Sequence, residues 1–239
     1  MTLLESAARF GAATHERHVR RWVVAVVVGL LVVGGAWAVW FSGWLTAREV
    51  RIVGAVNVSA DQVRQAAAVP AGQQLARVDV EGIAARVGQI PRVAAVEVRR
   101  GWPDVLVVVV TERAPLVVVR DGAEYVYLDA TGARFGSTKT VGKGLPVVTA
   151  RDDDALASAL AVVAALPNDL RSVVESVDAR TLDDVELALR TGATVQWGSA
   201  DRSDRKTVVL RSLLAVGAQR YDVSAPDLPT TRGSLSTKR

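Results

Sequence analysis

From Trp22 to Ala47 the chain carries no charged residue. A helix rises about 1.5 Å per residue, so about 20 residues cross the ~30 Å hydrocarbon layer of a bilayer. The predominantly apolar run Trp22–Leu45 is long enough to do so. Within it, Val23–Val39 holds ten Val and Leu side chains; at ~0.3–0.6 kcal/mol each they favour insertion by ~3–6 kcal/mol. Trp22 stands at one end, and Trp37, Trp40 and Trp44 gather toward the other, where aromatic rings settle at a membrane interface. Arg17, Arg20 and Arg21 precede the run, against Arg48 and Arg51 after it. That asymmetry points to a cytoplasmic N-terminus and a body outside. The pattern therefore predicts a cytoplasmic tail over 1–21 and one transmembrane helix over 22–45. The competing reading is a cleaved signal peptide: Ala36-Trp37-Ala38 fits an A-x-A site after an apolar stretch. Against it, the apolar run continues through Val39-Trp40-Phe41.

Several chemistries are excluded by composition. There is no cysteine, so disulfides, thiol nucleophiles and Cys-ligated zinc are absent. His15 and His18 are the only histidines, which leaves the body no imidazole for a Ser-His-Asp triad or a zinc site. The formal charge of +4 is modest, and the basic residues, 25 of 29 being Arg, are scattered. A nucleic-acid surface needs them clustered among stacking aromatics, so no nucleic-acid partner is expected. No cofactor is expected either.

Beyond the apolar run, Glu49-Val50-Arg51-Ile52-Val53 alternates as a half-buried strand and Gly54 ends it. Ser59-Ala60-Asp61-Gln62 starts a helix with a capping box, closed by Pro70 and Gly72. A second helix begins near Asp79, with Val80, Ile83, Ala84 and Val87 on one face, and Pro91 stops it. Val93–Arg99 reads as a strand with Val96 and Val98 inward, Gly101–Asp104 as a turn, and Val105–Val110 as a central strand. The order strand, helix, helix, strand, strand is a small α+β module.

From Ala114 the pattern shifts to short strands. Leu116–Val119 and Tyr125–Leu128 flank the hairpin signal Asp121-Gly122, and Asp129-Ala130-Thr131-Gly132 is a further turn. Asp152–Leu166 reads as a helix. Val185, Leu187 and Leu189 alternate, Thr191-Gly192 turns, and Val195 and Trp197 follow. A helix spans Ser203–Val216, capped by Ser203 and closed by Gly217. Arg220–Ser224 is the last strand, and the Pro-, Ser-, Thr- and Arg-rich segment 225–239 is expected to be disordered. The two modules join near Glu112–Pro115.

The stretch Pro91-Arg92-Val93, then Val98-Arg99-Arg100-Gly101-Trp102-Pro103-Asp104-Val105-Leu106, then Val108, Val110 and Glu112-Arg113-Ala114-Pro115 resembles the FtsQ/DivIB bacterial cell-division family. Gly54, Pro91, Arg100, Trp102, Pro103, Leu106, Glu112, Arg113 and Pro115 fall on that family's motif. Ser59, Leu128-Asp129 with Gly132, Leu145-Pro146 and Tyr221–Pro226 also match, while Val96 departs from the Ala often found there. The resemblance implies an α+β chain: an N-terminal transmembrane helix, a POTRA (β-α-α-β-β) domain over 48–115, and a mixed, mainly antiparallel β domain with helices over 116–224. It implies a single-pass protein of the cytoplasmic membrane at the division septum, acting as a non-enzymatic scaffold. Its implied partners are FtsB/DivIC and FtsL type membrane proteins, with other septal proteins reached through the POTRA domain. That family's last β-domain strand receives a partner strand, which here corresponds to Arg220, Tyr221, Asp222, Val223 and Ser224.

Each motif residue also has a plainer structural reading. Pro103 presets a turn, Trp102 can cover the edge of a small core with Arg100 stacked on it, and Glu112-Arg113 can simply pair. Ser203-Asp204-Arg205-Lys206 matches the acylation pattern S-x-x-K but lacks its companion elements. Gly142-Lys143-Gly144 is too short for a phosphate loop. The alternative function is a membrane-anchored envelope enzyme built on carboxylates such as Asp152–Asp154 or Asp183-Asp184, though acidic residues are expected at helix starts and turns anyway.

Overall fold

The structure, a computed structural model, describes residues 12–41 and 46–234, and within the first helix the side chains of 20–35 and 37. That helix, α1, runs Ala12–Phe41, and its described valines and leucines face no core: Val24 is 55% exposed and Leu31 70%. No helix among the described residues is long and apolar enough to cross a membrane. The expected span over 22–45 is thus not shown; the side chains of 36 and 38–41 and all of 42–45, Trp44 included, lie outside the described residues.

The chain divides into two compact units: residues 1–87 with 96–110, and 88–95 with 111–239. In the first, β1 (Glu49–Val53), α2 (Ala60–Ala67), a 3-10 turn (Leu75–Arg77), α3 (Val80–Gly88), β2 (Val93–Gly101) and β3 (Val105–Glu112) follow in order. The sheet order is β1-β3-β2, with β1 parallel to β3 from Glu49↔Val105 to Val53↔Val109. The apolar run of β3 is covered on one face: Leu106, Val108 and Val110 are buried, as are Val63, Ile83 and Val87 of the helices. Each such side chain contributes ~1.5–3 kcal/mol. Ser59 caps α2 as expected, accepting from the Gln62 N–H at 3.1 Å. The helix stops before Pro70, however, because Ala68 turns left-handed (φ +46) and its N–H bonds back to Arg64 O. Arg86 of α3 then donates to Ala67 O at 2.8 Å, supplying the partner that the helix end lacks. Gly54 has φ +87, and a Cβ there would lie 2.2 Å from Val110 O, so only glycine fits.

The second unit is built on a nine-stranded sheet in the order β12-β11-β10-β9-β8-β7-β4-β5-β6. Its strands are β4 (Val117–Asp121), β5 (Glu124–Leu128), β6 (Arg134–Thr138), β7 (Val147–Ala150), β8 (Val174–Thr181), β9 (Asp184–Leu189), β10 (Thr194–Gln196), β11 (Arg220–Asp222) and β12 (Thr230–Arg232). The pairs β4–β7, β7–β8 and β10–β11 are parallel, and the rest antiparallel. Parallel neighbours need a crossover. Helices α4 (Asp153–Ala165) and α5 (Asn168–Val173) bridge β7 to β8, and α6 (Ser203–Leu214) bridges β10 to β11. Ala155, Ala159, Val162 and Val163 of α4, with Leu166 at its C-cap, close on Val148, Val177, Leu187 and Trp197 in one core.

The hairpin at Asp121-Gly122 and the alternation of β9 are as read from the sequence. Two expectations need correction. Residues 225–234 are not a structureless tail: Pro226 is buried, the Leu228 N–H bonds Ala225 O at 3.0 Å, and β12 pairs antiparallel with β11. Consequently Arg220–Ser224 is not the last strand. The remainder of that expected tail, 235–239, lies outside the described residues.

Candidate docking edge and the family-motif residues

At the far end of the nine-stranded sheet, alternation sorts side chains onto two faces. One face of β9–β11 turns Val185, Leu187, Val195 and Tyr221 into the core, and Val223 just past β11 joins them. The other carries Arg180, Glu186, Gln196, Arg220, Asp222, Thr230 and Arg232, which line a polar groove of about 340 Å³. Its charges are interleaved. Glu186 lies 3.9 Å from Arg180 and 3.6 Å from Arg220, and Gln196 donates to Asp184 at 2.9 Å.

Of the five expected partner-binding residues, Arg220 and Ser224 are exposed and Asp222 is half-buried. Asp222 accepts from the N–H and hydroxyl of Ser224. Tyr221 and Val223 are 1% and 0% exposed, and the Tyr221 hydroxyl accepts from the Ala218 N–H at 2.9 Å. Their side chains are core, not docking surface. The backbone of β11 is also occupied on both sides, by parallel β10 and antiparallel β12, so it is not the edge. Among the described residues the edge at this end of the sheet is β12, three residues long and exposed throughout. A β-branched pair beyond a Pro-containing loop is a weak strand signal, which is why the sequence reading ended one strand early.

The family-motif residues hold structure. Arg100 donates to Leu75 O and Val78 O at 2.9 and 2.7 Å, clamping the 3-10 turn onto β2. Leu106 is fully buried, and Trp102, expected to cover the core edge, is instead 57% exposed. Arg113 ties a distant segment down: its N–H bonds Arg92 O, its Nε donates to Pro91 O, and its guanidinium meets Asp129 at 2.5 Å. These bonds explain why 88–95 belongs with the second unit. Asp129 also accepts from Thr131 N–H, Thr131 Oγ1 and Ala133 N–H. Burial alone would raise its carboxyl, but the Thr131, Arg113 and Ala133 donors outweigh it and hold the pKa at about 2.

The candidate catalytic groups are likewise in structural use. The Ser203 hydroxyl accepts from the Trp197 indole and donates to Ala200 O; it lies inside α6, whose N-cap is Arg202. Lys206 is 1% exposed and donates to Trp197 O and Ser199 O at 3.0 and 2.8 Å. Burial pushes its pKa below the usual lysine value. Asp152 caps α4 by accepting from Ala155 N–H. Among the described residues no group of His, Asp and Glu could hold a metal ion.

A family model described as "POTRA domain, FtsQ-type" matches residues 45–113, and "Cell division protein FtsQ/DivIB, C-terminal" matches 117–228. The chain is 34% identical over 226 residues to Cell division protein FtsQ of Streptomyces bingchenggensis, covering 89% of this chain and 85% of that one. To the protein of the same name from Streptomyces coelicolor it is 32% identical over 260 residues, covering 98% of each. To that of Mycolicibacterium smegmatis it is 36% identical over 215 residues, covering 88% of this chain and 62% of the relative.

Proposed function

The chain belongs to the FtsQ/DivIB cell-division family, and from that premise we propose that it is a single-pass membrane scaffold of the division machinery that captures partners on a sheet edge and catalyses nothing. In this reading residues 1–21 lie in the cytoplasm, 22–45 span the membrane, 48–115 form the POTRA domain and 116–234, β12 included, the β domain, outside the membrane at the septum. The charge-free run and the exposed apolar surface of α1 support the span. The partners are membrane proteins of the FtsB/DivIC and FtsL type, with further septal proteins meeting the POTRA domain.

The observation that carries the reading is the β12 edge beside a polar, charge-interleaved groove. An unpaired edge offers a row of backbone donors and acceptors that a partner strand can complete. Three or four such bonds contribute only a few kcal/mol at ~0.5–1.5 kcal/mol each, so the groove's Arg220, Glu186 and Arg232 supply register and selectivity. The core face of β11 is sealed and contributes none.

Successive N–H groups of a strand point to opposite sides. Of Thr230→Pro and Thr231→Pro, one therefore removes an outward donor and the other a donor to β11. Partner capture by the full chain in nanodiscs is expected to fall with the outward variant while its melting temperature stays at the wild-type value. Unchanged capture by both variants, each folded, would refute edge addition.

A further inference from the structure

Trp102 is the large apolar side chain that the POTRA fold leaves in water at the turn between β2 and β3, 57% exposed and followed by exposed Pro103. Neither the capture edge nor the core uses it. Its place in the fold is informative. The Asp104 carbonyl accepts from the N–H groups of Arg48 and Glu49, so the turn abuts the start of β1. Thr46 bridges Gln74, and Ala47 N–H bonds Gln73 O at 2.8 Å, so the entering chain is pinned to that same end. Between Phe41, the last residue of α1, and Thr46 there are five steps of chain, which reach at most ~17 Å when fully extended.

If 22–45 spans the bilayer, this tether confines the β2–β3 end of the module to the membrane surface. With the span ending at Leu45, one step of chain, ~3.5 Å, leads to Thr46, short of the ~5–8 Å polar layer between hydrocarbon and water on each side. The exposed indole therefore sits where Trp partitions best, with its ring toward acyl chains and its N–H among headgroups. The other strongly exposed apolar side chains of this module, Val53 and Val56, sit at and just past the opposite end of β1, where the tether gives them no such proximity.

We infer that Trp102 is a membrane-interface anchor: it dips into the outer headgroup layer and, with the span, fixes the orientation of the POTRA domain on the bilayer. The inference rests on the proposed span. The test is depth-dependent quenching of the full chain reconstituted into phosphatidylethanolamine–phosphatidylglycerol vesicles. Trp22, Trp37, Trp40 and Trp44 are replaced by Phe, leaving Trp102 and the fully buried Trp197, which lies in the other unit and serves as an internal reference. A companion lacking Trp102 (W102F) isolates its signal by difference.

Lipids brominated near the carbonyls are expected to remove most of the Trp102 emission, and lipids brominated near the chain ends much less. Emission insensitive to both quenchers, in a protein that stays with the vesicles through an alkaline wash, would overturn the anchor while leaving the span intact. Release of the protein by that wash would overturn the span, and the anchor with it. Trp102 that escapes lipid quenchers but is shielded from iodide by added partner protein would identify the turn as a protein contact and also overturn the proposal.

Discussion

Replacing Asp129 by Asn removes one charge from a carboxylate that is 8% exposed and holds four donors. The size of the effect follows from its pKa, which the fold lowers from 3.8 to about 2. At ~1.4 kcal/mol per pH unit, ionisation in the folded state contributes ~2.4 kcal/mol of stability at neutral pH. The sign is that of a depressed carboxyl: the contribution is fully present above the unfolded pKa and drains away as pH falls through the folded one. About half should remain at pH 3, and almost none below pH 2. Loss of the charge also strands the guanidinium of Arg113, whose side chain is 23% exposed, so the cost at pH 7 should be no smaller than the linkage figure. The assay is chemical unfolding of the full chain in detergent micelles from pH 7 to pH 2, wild type against Asp129→Asn, followed by near-ultraviolet circular dichroism. The expected result is a gap of ~2–3 kcal/mol at pH 7 that narrows steadily below pH 4. A gap that is absent at pH 7, or that keeps its full size down to pH 2, would refute an ionisation-linked role for Asp129 and leave only packing.

Three further outcomes follow from the same geometry. Gly54→Ala must place a Cβ 2.2 Å from Val110 O at φ +87, so it should cost at least ~1–2 kcal/mol, read as a lowered melting temperature of the POTRA unit. Arg100→Ala strands the carbonyls of Leu75 and Val78 and should destabilise by ~1–3 kcal/mol; because the planar fork engages two acceptors, Arg100→Lys should recover only part of this in the same melt. Lys206→Met keeps the bulk but removes the donors to Trp197 O and Ser199 O, costing ~1–3 kcal/mol, and the wild-type Ser203 should take no label from a fluorescent penicillin.

The parts of the fold that were legible in the sequence are those where one local signal decides the outcome. Ser59 could be read as a cap because its acceptor lies three residues from the donor it satisfies. The order of the POTRA elements followed because β1 alternates with period 2, β3 is one apolar run and each helix keeps one apolar face. The strands that were missed break that period. In β8, Val174, Val177 and Ala179 are all buried because a bulge between Val174 and Ser176 inserts a residue, so the inward positions are spaced by three and then two, which fits neither strand nor helix. In β6 a single apolar residue, Phe135, is followed by Gly136 at φ +64, opposite an irregular register in β5. The short α5 has no side-chain cap to announce it.

The candidate site shows the same division between local and distant causes. That Tyr221 and Val223 share a face was plain from alternation, but which face is buried depends on α6 and on β9, both remote in sequence. Whether a strand is an edge is likewise a property of its neighbours rather than of its own residues. β11 looked terminal because Pro226 and Pro229 follow it, and a proline cannot extend a ladder. The chain instead uses the intervening residues to turn back, burying Pro226 and pairing Thr231 with Tyr221. A three-residue strand with no buried side chain is held by few interactions. Under the proposed edge capture, a strand of that kind would let the sheet end without a long sticky template, yet leave one short row of donors and acceptors for a partner whose side chains match Arg220, Glu186 and Arg232.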